Sequence, residues 1–224
     1  MCILWRVRYP LAIVLLAACA GPSCRSAAPA AGRPAPAPPI VQPGAPGQPS
    51  RVIDAAHASD LSQVQYTGAD IKFMQGMIGH HAQAIEMVAL AATRSASDGL
   101  RKLALRIDVS QKDEMQMMRE WLLARGQQIP DPRAHHMMGA TLMPGMLTPE
   151  EMARLAAATG TEFDRLFLEG MIKHHAGAIA MVHDLFATEG AGQTPEIFAY
   201  ASDVDADQRM EIDRMGSMLK ELQK

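Results

Sequence analysis

Cysteine is nearly absent: the chain of 224 residues has 3, at positions 2, 19 and 24. None follows residue 24, so the folded part can hold neither an internal disulfide nor a thiolate metal site. Aromatic residues make up only 4% of the chain, which leaves its 17 methionines as the main source of flexible apolar bulk. No Glu-x-x-His occurs, and that removes the ligand pattern of di-iron helical bundles. A His-Glu-x-x-His zinc helix, a glycine-rich phosphate loop and a serine or cysteine nucleophile in a recognisable setting are missing too. The formal charge is −3, without the basic face that nucleic acid requires. These absences favour coordination or interaction over turnover, so no enzymatic activity is expected.

The start of the chain reads as an export signal. Arg6 and Arg8 precede an apolar stretch at residues 11–18 that is too short to span a bilayer as a finished helix. Leu16-Ala17-Ala18-Cys19 resembles the bacterial lipoprotein processing box, which makes Cys19 the expected lipidation site and the membrane an expected partner through that anchor. Removing residues 1–18 takes away two arginines and no acids, so the charge falls from −3 to −5. Residues 19–58 are dominated by Pro, Ala and Gly and read as a disordered tether. The remainder, residues 59–224, is near the size at which one domain builds an adequate core.

That remainder is an internal duplication. Residues 73–88 return as residues 167–182 at a constant offset of 94, sharing Gly-Met-Ile-x-His-His-Ala-x-Ala-Ile-x-Met-Val. Each copy is preceded by a Thr with an Asp three residues later, Thr67/Asp70 and Thr161/Asp164, a pattern that predicts a helix start at each. In the first copy only Lys72, Gly79 and Glu86 form a solvent-like row, so the helix should be buried around most of its girth. A second amphipathic helix is duplicated as well: Gln111, Glu114 and Met118 match Gln208, Glu211 and Met215 at an offset of 97, which predicts a longer loop in the second hairpin. Thr194-Pro195-Glu196 should open the last helix. The connector, residues 126–158, contains Pro130, Pro132 and Pro144, and Thr148-Pro149-Glu150-Glu151 should start a short helix within it. The expected architecture is all-α: repeat 1 at about 59–125, this connector as a long crossover, and repeat 2 at 159–224.

The paired His-His segments, the two Gln-x-x-Glu helices and Met143-Pro144-Gly145-Met146-Leu147-Thr148 together resemble the bacterial domain-of-unknown-function family 305. The likeness covers nearly all of residues 60–224. It implies an exported, ferritin-like four-helix bundle made of two αα-hairpins, from a family with some members implicated in copper binding.

His80 and His81 are about 100° apart on one helix, so a single ion does not easily take both. Met77 and Met87 flank them at helical spacing, as Met171 and Met181 flank His174 and His175. Imidazole nitrogen with thioether sulfur favours Cu(I) or Ag(I), so copper is the expected cofactor. A second constellation is His135-His136-Met137-Met138 in the connector. The competing reading makes the four helical histidines core residues, held by carboxylates such as Asp70, Asp164, Glu114 and Glu211. Function therefore stays open between a cell-envelope lipoprotein that buffers or sequesters a soft metal, a metal-independent interaction module that docks a partner or a second copy, and a metal-dependent oxidoreductase.

Overall fold

The computed structural model describes residues 38–42, 50–59, 64–137, 139 and 141–223. The signal, Cys19 and Met138 lie outside them. Two short strands, β1 (Ile40–Gln42) and β2 (Arg51–Ile53), pair antiparallel, and a helix of one turn, α1 (Ala55–Ser59), follows. They fall in the stretch read as a tether. The alternation there is too short to register as a strand signal, but the pairing uses its few β-branched residues, setting Ile40 opposite Ile53 and Val41 opposite Val52.

The rest is helical. Four long helices, α2 (Gly68–Arg94), α3 (Asp98–Ala124), α5 (Gly160–Ala187) and α6 (Pro195–Leu222), are joined by short loops within each repeat and by the connector between repeats. The connector carries α4 (Pro149–Ala157). Packing is mainly α2 on α3, α5 on α6, and α2 on α5. The α5–α6 loop is longer than the α2–α3 loop, as the two offsets require. No described helix is long and apolar enough to cross a membrane.

Local chemistry accounts for most helix starts. Thr67 and Asp70 form a capping box on α2, Thr148 and Glu151 form one on α4, and Pro195 occupies the first turn of α6. The second repeat departs from expectation: α5 begins before Thr161, with Thr159 at the cap and no side-chain capping bond. Gly160, at φ +62°, turns the chain into the helix one residue ahead of Thr161, and this replaces the hydroxyl cap. Asp70 has a further role, accepting the Gly192 amide at 2.7 Å and so tying the α5–α6 loop to the start of α2.

The duplicated helices α2 and α5 meet through their glycines. A Cβ on Gly76 would lie 3.4 Å from the Met181 methyl, and one on Gly170 would lie 3.2 Å from the Met87 methyl. Each methionine thus covers the glycine of the other repeat, consistent with an internal two-fold relationship. Met74, Met77, Met87 and Met171 have no exposed surface at all, so the methionines supply the bulk that aromatic residues do not.

Candidate metal centre

The connector is seated across the two repeats by one asymmetric pair of positions. Gln83 donates to the Leu147 carbonyl at 2.9 Å and accepts the Leu147 amide at 2.7 Å, satisfying a buried peptide group from both sides. Its counterpart in the second repeat is Gly177, where any Cβ would overlap the Pro144 carbonyl oxygen. Gly145, at φ +74°, makes the matching close approach, since a side chain there would run into the Lys173 carbonyl. One repeat clamps the connector and the other makes room for it.

Under that strap lie the histidines. His80, His81, His174 and His175 are all at most 1% exposed. The Nε2 of His80 lies 3.0 Å from the Pro144 carbonyl, and that of His174 lies 3.0 Å from the His80 carbonyl. A carbonyl only accepts, so both Nε2 atoms carry the proton and the neutral rings keep a bare lone pair on Nδ1. His81 and His175 point Nε2 at Glu114 and Glu211, each at 2.7 Å. Among the described residues, the Nδ1 atoms of all four rings are buried without a hydrogen-bond partner. Ring centroids run from His81 through His80 and His174 to His175 in steps of 6.3, 3.8 and 6.3 Å. His80 therefore serves the connector and His81 serves α3, as their angular separation requires.

Electrostatics follow from this burial. Desolvation, reinforced by the neighbouring His81, pulls the His80 pKa from 6.5 to about 3, against the opposing pull of the Pro144 carbonyl. His174 is held well below its ordinary value, first by burial and then by His80. Burial pushes the Glu114 carboxyl up, but the hydrogen bond and charge of His81, with help from Ser110, leave it lowered. Glu211 is lowered in the same way against its own burial, by His175 and Arg106. The result is a pair of stacked neutral imidazoles at the middle, flanked by two that are oriented by carboxylates.

Of the four carboxylates singled out in the sequence as partners, Glu114 and Glu211 take that role. Asp70 serves the cap instead, and Asp164 is buried with Oδ1 unpartnered. Gln111 and Gln208, each one turn before those glutamates, are also buried, with their Oε1 atoms unpartnered. Their place in the duplicated Gln-x-x-Glu pattern was the available signal for a shared interior role.

In the connector, His135 and His136 stack at 4.2 Å and meet Glu86 of α2. Met137 is 71% exposed and takes no part in that contact. Among the described residues, Glu86, His135 and His136 form the one group of three such donors whose ligand atoms lie within 4.8 Å of one another. Periodicity within α2 places Glu86 in the solvent-like row and carries no information about the connector that meets it.

The buried donor atoms thus repeat on paired helices of a largely helical protein. The chain matches the family described as Domain of unknown function (DUF305) over residues 70–219, and it belongs to that family. A DUF305 fragment from Deinococcus radiodurans is 33% identical, covering 70% of this chain and 98% of that one with a TM-score of 0.60. CopM in its Cu(I)-bound form is 29% identical, covering 70% and 98% with a TM-score of 0.54. CopM in a silver-bound form is 27% identical, covering 68% and 96% with a TM-score of 0.54. No curated protein matches the sequence significantly.

Proposed function

We propose that this chain is an exported lipoprotein, anchored through Cys19 in the cell envelope, that binds Cu(I) or Ag(I) inside a ferritin-like four-helix bundle and thereby buffers or sequesters the metal. The observation that carries the reading is the set of four buried imidazoles whose Nε2 atoms are engaged and whose Nδ1 lone pairs are not. A carbonyl or carboxylate on the far nitrogen is the usual way a ligating histidine is oriented and made more basic. Thioethers are close to the same turns. Met181 packs over Gly76, one helical turn before His80, and Met87 packs over Gly170, one turn before His174, while Met77 and Met171 lie on the same buried faces. Nitrogen with soft sulfur suits monovalent copper and silver, which accept low coordination numbers. The similarity to CopM, known in Cu(I)-, Cu(II)- and silver-bound forms, supports the reading.

Calorimetric titration of the whole chain with Ag(I) tests it, alongside single alanine variants of His80 and His174 checked for folding by circular dichroism. Tight binding that weakens at least tenfold in either folded variant is expected. Binding that is absent, or indifferent to both changes, rejects the proposal.

A further inference from the structure

A different donor set lies at the edge of the connector. His135 sits in a turn of 3-10 helix (Ala134–His136), with a side chain only 7% exposed. Its Nδ1 is 3.1 Å from the Pro132 carbonyl and must donate there, which leaves Nε2 as a bare lone pair. That Nε2 is buried without a hydrogen-bond partner, although a Glu86 oxygen lies 3.5 Å away. With the ring neutral, the form that binds a metal, two acceptors face each other there. The same Glu86 oxygen is 2.7 Å from His136 Nε2.

We infer that Glu86, His135 and His136 form a second metal site, separate from the buried histidines, that takes a divalent borderline cation of the Cu(II) or Zn(II) kind. Ligand atoms around a tetrahedral ion with bonds of ~2.0–2.1 Å stand ~3.4 Å apart, close to the 3.5 Å between His135 Nε2 and the carboxylate. The Glu86–His136 contact opens slightly to reach that spacing. A shared carboxylate oxygen with two imidazoles is a nitrogen and oxygen set, harder than the imidazole and thioether interior, and copper(II) binds such sets most strongly among the common first-row ions. Geometry restricts access differently too: Glu86 and His136 are part-exposed, with side chains 29% and 55% exposed, so a hydrated ion reaches them from solvent. Because Glu86 belongs to α2 and the histidines to the connector, an ion bound there cross-links the two.

The test uses the whole chain without a histidine tag. Cu(II) is added and read by electron paramagnetic resonance, and Zn(II) is added and read by the shift in thermal midpoint, for the wild type, Glu86→Gln and the double variant His135→Ala/His136→Ala. The wild type should bind Cu(II) with nitrogen hyperfine structure and melt higher with Zn(II). Glu86→Gln should weaken both at least tenfold, and the double variant should abolish them, while Ag(I) binding is unchanged in each. Cu(II) spectra and a Zn(II) response that are identical in all three proteins overturn the inference. These substitutions leave the interior histidines intact, so loss of Ag(I) binding and loss of divalent binding are read independently.

Discussion

The rings of His80 and His174 lie 3.8 Å apart between centroids and are tilted by 37°, and a peptide carbonyl ties them in sequence: His174 donates to the backbone oxygen of His80. Two imidazoles this close and this deeply buried cannot both charge without repulsion. Both are therefore neutral at physiological pH, which is the state in which a ring nitrogen binds metal.

Acid should destabilise the fold early. The folded pKa of His80 is depressed from 6.5 to about 3, so the unfolded chain takes up a proton that the folded chain refuses. This contribution to stability is complete above about pH 6.5 and is lost as the pH falls towards 3, at up to about 1.4 kcal/mol per pH unit for each proton withheld. His174 acts in the same direction. Glu114 and Glu211, whose carboxyls are lowered from 4.5, extend the loss below that value. Denaturant midpoints followed downwards from neutral pH check this, and a flat profile through the histidine range contradicts it.

Glu114→Gln and Glu211→Gln should each lower Ag(I) affinity by about 10- to 100-fold, because the amide no longer fixes the orientation and basicity of the histidine beyond it. Glu211→Gln should also cost about 1–3 kcal/mol of stability, since Glu211 bonds both His175 and Arg106 from a site only 9% exposed. Titration and chemical melts on the same samples separate the two effects.

Gly177→Ala should destabilise the protein by about 1–3 kcal/mol, because the new methyl group must displace Pro144 and Gly145 from α5. The same substitution at Gly216, a helical position with open space around its would-be Cβ, should stabilise by up to ~1 kcal/mol. Opposite signs in thermal melts are the expected outcome.

Gln83→Leu removes both bonds to the buried Leu147 peptide and should cost about 2 kcal/mol or more. Hydrogen exchange at the Leu147 amide should accelerate by more than the global loss of stability accounts for, because the strap loosens locally.

Much of this was legible in the sequence. The fixed offset of 94 between the His-His segments predicts the paired helices, and Glu114 and Glu211 stand among four carboxylates available to the histidines, with nothing in the sequence to prefer them over Asp70 and Asp164. What could not be read was anything set by the connector. Periodicity reports which face of a helix is buried, but not what covers it, so neither the Pro144 carbonyl on His80 nor Glu86 beside His135 had a signal. The unequal pair Gln83 and Gly177 was visible in the alignment of the repeats, yet its meaning depends on a strap that crosses only once. The start of α5 escaped for a simpler reason: Thr161 mimics the Thr67 cap in spacing, but Gly160 had already turned the chain.

The central claim is that metal is held by the Nδ1 atoms of the buried histidines. Anomalous diffraction from crystals of the whole chain loaded with Ag(I) addresses it most directly. The account predicts silver bonded to Nδ1 of at least one of His80, His81, His174 and His175, with a methionine sulfur completing the site. Silver found only on surface methionines, with all four Nδ1 atoms unliganded, would contradict it.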